Sequence, residues 1–205
     1  MKRNIFKIYI LLYNMTLVSS CRDVIQYTRI SIEPHQMSND ILTNMKIKLK
    51  NKLEKKCNRN GFIDEIYRII DFSDGYMPPE NLNGAAIFEV SFHCRLCIPI
   101  ENTIIIGLIR ILNSELIIAI NGPIIIFITK ENINLDVWNI GEHYEHKQSK
   151  TKLASNDYIK IQILNKRINQ NDSQIKAIGL LYDMATTEEV EQYFVHTSEK
   201  NYIED

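Results

Sequence analysis

The stretch LIIAINGPIIIFIT, Leu116–Thr129, holds two short apolar runs, Leu116–Ile120 and Ile124–Thr129, on either side of Asn121-Gly122-Pro123. Each run is too short for a helix and rich in β-branched Ile, so each reads as a strand. The Asn-Gly pair tolerates the backbone conformation of a tight turn, which makes the stretch a β-hairpin. Working outward, Thr103–Leu112, Tyr158–Leu164 and Ile175–Tyr182 repeat the pattern, with no helical periodicity after Pro99. Five short strands with one long connection fit a small barrel of the OB type. That connection, roughly Asn132–Asp157, carries Trp138, Gly141 and many polar residues. A loop of such length is usually functional or disordered.

Upstream of the barrel the pattern differs. Between Asp23 and Glu33, Ile30 and Ile32 alternate with Arg29, Ser31 and Glu33, as in a half-buried strand that Pro34 ends. Ser38 is placed to cap a helix, with Asp40 in its first turn. Ile41, Met45, Leu49 and Leu53 then recur at i, i+4 and form one apolar face. Lys46, Lys48, Lys50, Lys52, Lys55 and Lys56 crowd the rest, as a solvated face or as a surface for phosphate or an acidic partner. Asn60-Gly61 and Ser73-Asp74-Gly75 are turns bracketing a strand over Phe62–Phe72, and Ile87–Leu96 alternates as another. The expected class is therefore α+β. It comprises an α+β domain over 22–98, an OB barrel over 99–183 with a long loop near 132–157, and an acidic tail over 184–205. Glu188, Glu189 and Glu191 beside Val190, Tyr193 and Phe194 predict a short helix in that tail.

Composition narrows the chemistry. A net charge of -1 over 205 residues excludes a uniformly basic nucleic-acid binder, so contact with a polyanion needs a local patch. Cys21, Cys57, Cys94 and Cys97 make no disulfide framework by spacing and read as reduced thiols of an intracellular protein. Cys94 and Cys97 form a C-x-x-C pair on an alternating segment, where residues three apart point to opposite strand faces. Zinc would need two further ligands. His143 and His146, with Glu142 and Glu145, would bind metal only on a helix with a third ligand, and the segment lacks helical periodicity. There is no Gly-rich phosphate loop and no nucleophile elbow. No metal, cofactor or catalytic residue is expected. Residues 1–21 imitate an exported or lipid-anchored leader ending at Cys21, but Ile8–Tyr13 is a short apolar run bounded by Lys7 and Asn14. The segment reads instead as an N-terminal extension, with Met15 an alternative start and no membrane span.

The order of an α+β unit and a five-stranded barrel resembles the stalk subunit of DNA-directed RNA polymerases, the family of the seventh subunit of RNA polymerase II and its archaeal counterpart. Gly61-Phe62-Ile63 after Cys57 is similar to the family's turn after its helix. Gly84 through Phe92 is similar to its last tip strand, and Pro99 and Gly107 fall where its interdomain segment has Pro and Gly. Gly122 through Lys130 is similar to its barrel hairpin, and Ile175-Lys176-Ala177-Ile178-Gly179 to its closing strand. Ile32-Glu33-Pro34-His35 through Asn44 is most similar to the small poxvirus version. The prominence of Ile, Asn, Lys and Tyr fits the A/T-rich codons of a large DNA virus.

The resemblance implies a non-catalytic subunit. Its tip would dock on the polymerase core beside the clamp, with Pro34, Gly61 and Phe62 as candidates, and its barrel would face nascent single-stranded RNA. Arg95, Arg110, Lys130, Lys160, Lys166 and Arg167 are candidates for charge, and Phe127 and Tyr158 for base stacking. For a virus, residence in the host cytoplasm and virion follows from the same resemblance, whereas the sequence leaves open whether a fourth-subunit-like partner exists. The segment Cys97-Ile98-Pro99-Ile100-Glu101 is apolar and acidic where relatives are basic. The competing reading is a freestanding OB-fold RNA-binding protein.

Overall fold

The computed structural model describes residues 17–37, 40–79, 81–141 and 143–198, which divide into two units. One, the sheet unit, comprises residues 22–97 and 169–173, and the rest of the chain forms the barrel unit.

The sheet unit begins with strand β1 (Cys21–Ile32), whose first residue belongs to the barrel unit, and a 3-10 turn at Pro34–Gln36. Helix α1 (Ile41–Leu53) follows, then β2 (Lys56–Asn58), β3 (Gly61–Phe72) and β4 (Ala86–Cys97). The strands form one sheet in the order β1-β4-β3-β2. Alternation sends Ile30, Ile32, Val90, Phe92, Cys94 and Leu96 to one face, where Met45 and Leu49 of α1 close the core. Ile41 and Leu53, the outer members of the predicted stripe, pack at its margin. Among the described residues the unit sets one α-helix of 13 residues against four strands, so it is mostly β. Asp40 occupies the N-cap position without a side-chain cap bond, so it lies before the first turn. Ser38, the predicted cap, lies outside the described residues.

The barrel unit is built from β5 (Ile104–Leu112), β6 (Leu116–Asn121), β7 (Ile124–Thr129), β10 (Tyr158–Arg167) and β11 (Ile175–Met184). They close in the order β10-β11-β7-β6-β5, with β10 pairing β5. Among these five strands only β7 and β11 run parallel. This closure fits the OB type. Ile117, Ile126, Ile128, Ile159, Ile161 and Ile163 fill the interior without measurable exposure. So many branched side chains leave no room at two positions. A Cβ on Gly107 would stand 2.7 Å from Ile161 Cδ1, and one on Gly179 would overlap Ile161 and come within 2.8 Å of Ile126 Cγ2. Both glycines are there for space.

Three features depart from expectation. The connection after β7 is not plain loop: it holds a hairpin of β8 (Trp138–Ile140) and β9 (Tyr144–His146), with Trp138 buried. Leu17 bridges Ile104, and the Val18 amide donates to the Ile104 carbonyl at 3.0 Å, so this end of the 1–21 extension is part of the barrel unit. Met1–Thr16, including the leader-like stretch and Met15, lie outside the described residues. The reduced-thiol reading holds for Cys57 and Cys94, which are free and buried, but not for Cys21 or for Cys97, each of which is in a disulfide. The tail folds from Thr187 to Ser198 as helix α2, and none of the described helices is long and apolar enough to cross a membrane.

Candidate nucleic-acid interface

Alternation along β10 points Ile159, Ile161 and Ile163 inward and leaves Tyr158, Lys160 and Gln162 on the outer surface. Near Leu164 the register with β11 shifts, leaving both Leu164 and Asn165 exposed before Lys166 and Arg167. Lys160 and Lys166 are six residues apart on one strand, about 20 Å at ~3.3 Å per residue. The basic candidates therefore form two clusters and not one groove.

The first cluster lies where β10 begins. Tyr158 is opposite Leu108 of β5, and Arg110 follows in a bulge that leaves it exposed. Lys160 is largely covered: its Nζ lies 3.0 Å from Glu189 Oε1 and 3.8 Å from Asp183 Oδ2. His146 Nε2 approaches the same Asp183 at 3.2 Å, which ties the 132–157 connection to this charge network. The helical His-x-x-His idea fails here, since Tyr144–His146 is a strand. Burial pushes the Glu189 carboxyl up, but bonds from Thr186 and Lys160 outweigh it and hold the group below the usual carboxylate range.

The second cluster lies where β10 ends. Arg167 is exposed and sits opposite Lys176 of β11. Lys166 donates from Nζ to the Pro99 carbonyl at 2.9 Å, so the apolar segment around Pro99 is anchored by a basic residue it lacks itself. Lys176 was missed as a candidate, although its place in the alternating run Ile175-Lys176-Ala177-Ile178 marks it as outward-facing. The remaining candidates fall elsewhere. Phe127 is half-buried on the outer face of β7 beside Ile178, and Lys130 pairs with Glu115 at 3.5 Å. Arg95 belongs to the sheet unit, on β4, with Asp64 at 4.0 Å. It is therefore not a barrel residue.

The docking candidates are all in the sheet unit. Pro34 is exposed in the 3-10 turn. Gly61, at φ 142, opens β3 after the two-residue turn Arg59-Asn60, and Phe62 is buried at 4 % exposure. Of the six lysines near α1, Lys48, Lys50, Lys52, Lys55 and Lys56 each reach an oxygen of their own unit. Cys94 is buried, and burial first, then the Asp23 charge, pushes its thiol up to about 11, which makes it unreactive. No metal-binding group of three or more side chains occurs among the described residues.

One constellation had no sequence signal. Asn121, read as a turn residue, is 5 % exposed inside the barrel unit. Its side-chain amide donates to the Ile106 carbonyl at 2.6 Å and to Tyr193 Oη at 3.1 Å, while its oxygen accepts from Ser20 Oγ at 2.6 Å. Tyr193 donates onward to the Val18 carbonyl at 3.2 Å. Every polar atom of the Asn121 side chain is satisfied, which is the condition for burying it without a penalty.

Fold and surface together define a mostly β protein in which a sheet-and-helix unit accompanies a closed five-stranded barrel with basic and aromatic residues outside. No family model matches the chain. It is 31% identical over 166 residues to a protein of Acanthamoeba polyphaga mimivirus provisionally named as a DNA-directed RNA polymerase subunit, covering 80% of this chain and 83% of that one. The chain belongs to this family of viral DNA-directed RNA polymerase subunits.

Proposed function

We propose that the chain is a non-catalytic stalk subunit of a viral DNA-directed RNA polymerase. Its sheet unit docks on the polymerase core, and its barrel contacts nascent single-stranded RNA. The observation that carries this reading is a closed five-stranded barrel joined to a sheet-and-helix unit in a chain with a viral relative provisionally named as a polymerase subunit. Docking is favoured by apolar surface: Tyr76 and Met77 are about 60% exposed and Leu82 is 98% exposed, all in the sheet unit. Pro34 would belong to that surface, whereas buried Phe62 would act by holding the turn that Gly61 opens. RNA contact would use Arg110, Tyr158 and Lys160 at one end of β10 and Lys166 and Arg167 at the other, with Phe127 as a stacking platform and Lys130 as an outlying charge. Core polymerase subunits and RNA are the expected company, in the host cytoplasm and the virion, with no cofactor; recovery of a fourth-subunit-like partner is an open outcome of the purification below.

The test is affinity purification of a tagged copy from infected cells. Recovery of the large polymerase subunits is the expected result. Their absence, together with RNA binding by the purified protein, would replace this reading with a freestanding OB-fold RNA-binding protein. Lys166→Glu with Arg167→Glu should weaken RNA binding and flatten its salt dependence by about 0.7 in log–log slope per lost phosphate contact.

A further inference from the structure

Helix α2 sits on one end of the surface proposed to bind RNA. Thr186 and Glu189 start it with a capping box: the Thr186 amide donates to Glu189 Oε2 at 2.9 Å, and the Glu189 amide donates to Thr186 Oγ1 at 3.3 Å. The box fixes the Glu189 side chain, and its other oxygen accepts from Lys160 Nζ at 3.0 Å. One turn further, Phe194 places its ring 6.0 Å from that of Tyr158. Between them Tyr193 turns inward to the Asn121 amide and anchors the helix to the barrel. The helix thus offers Lys160 a carboxylate where RNA would offer a phosphate, and offers Tyr158 an aromatic ring where RNA would offer a base.

We propose that α2 is an autoinhibitory nucleotide mimic, which occupies the Tyr158–Lys160 end of the barrel until single-stranded RNA displaces Glu189 and Phe194. This rests on the barrel being the RNA-binding unit. The anchor and the mask are separate residues. Tyr193 is held by the Asn121 network, while Glu189, besides its capping box with Thr186, contacts Lys160, and Phe194, besides its contact with Tyr193, faces Tyr158. The energetic consequence is competition: the apparent dissociation constant rises by the inverse of the fraction of molecules whose site is open. The mask also filters ligands. A mere anion meets only the Lys160 half of the contact, whereas a nucleotide strand replaces both halves.

The experiment measures binding of a fluorescein-labelled single-stranded oligouridylate by the full chain and by Glu189→Gln, Phe194→Ala and the double variant. Far-UV circular dichroism checks that the fold is retained. Removing the mask should tighten binding about tenfold, the size of one charge-assisted contact no longer displaced. The salt dependence should steepen by about 0.7 in log–log slope for the phosphate gained. Lys160→Gln in the Glu189→Gln background should erase the gain. If wild type binds RNA and the unmasked variants bind no better, the mimic is overturned while the barrel reading stands. A gain that survives Lys160→Gln also overturns it. If no form of the protein binds RNA, the barrel reading itself fails and the mimic with it.

Discussion

Each of the five barrel strands is paired on both sides, whereas the four-stranded sheet ends on the 12-residue β1, which leaves one edge unpaired in the sheet order. The barrel fills its interior with Ile side chains, leaves Ile111, Leu135 and Ile178 among its exposed apolar residues, and covers basic Lys160 with its own helix. The sheet unit leaves Ile25 51% and Tyr27 79% exposed on that edge strand. An edge strand carrying large apolar side chains is a place where another chain can pair or pack, and soluble proteins usually blunt such edges with charge. Here blunting is partial: Lys52 donates to the Arg29 carbonyl and Arg29 pairs with Glu89, but Ile25 and Tyr27 carry no charge. The barrel strands pair with one another all round, while the sheet unit presents a long edge strand with two large exposed side chains. That contrast matches the proposed division between RNA contact and docking.

Four changes break or sharpen this comparison. The largest effect is expected from Gly179→Val, since its side chain must enter space filled by Ile161 and Ile126. Overpacking of a closed barrel should cost about 3 kcal/mol, visible as a lower urea midpoint. An unchanged midpoint would mean the barrel interior has slack. Next, Asn121→Leu strips partners from Ser20 and Tyr193 inside the barrel and should cost about 2 kcal/mol. Hydrogen exchange should show the loss concentrated in α2, and uniform loss would separate the helix from that network.

A smaller effect follows from acid. The Glu189 carboxyl is held below its ordinary range when folded, so its contribution is present above the unfolded value and lost as pH falls through the folded one. Protection of α2 should therefore decline on acidification through and below the ordinary glutamate range, by less than about 1 kcal/mol for so partly exposed a pair. Glu189→Gln should remove that dependence. The smallest change in stability belongs to Tyr27→Glu with Leu82→Glu, within about 0.5 kcal/mol because both side chains face solvent. Yet this pair should abolish recovery of the large polymerase subunits. A variant that assembles normally would move the docking surface elsewhere in the unit.

Much of the scaffold was legible. Ile124–Thr129 was bounded as found, and the other barrel strands differ mainly at their ends, because period-two alternation survives until a turn residue interrupts it. The hairpin Trp138–Ile140 with Tyr144–His146 escaped notice, since three-residue strands are too short to show a period. The candidate surface was less legible. Residue type named Lys160, Lys166 and Arg167, but spacing along one strand could not reveal that a bulge divides them, or that Glu189 covers one of them.

By itself the sequence determined where the longer strands and their turns fall, which of their faces are apolar, and that Gly107 and Gly179 belong to the barrel strands, because these depend on local alternation and backbone sterics. Tertiary structure alone decided that Asn121, a turn residue by its neighbours, would be a buried hub, since its partners Ser20, Ile106 and Tyr193 come from three distant parts of the chain. It likewise decided that an acidic tail would fold back onto Tyr158 and Lys160. Closing a barrel creates neighbours that no local period encodes, and the burial of polar groups is set by those neighbours.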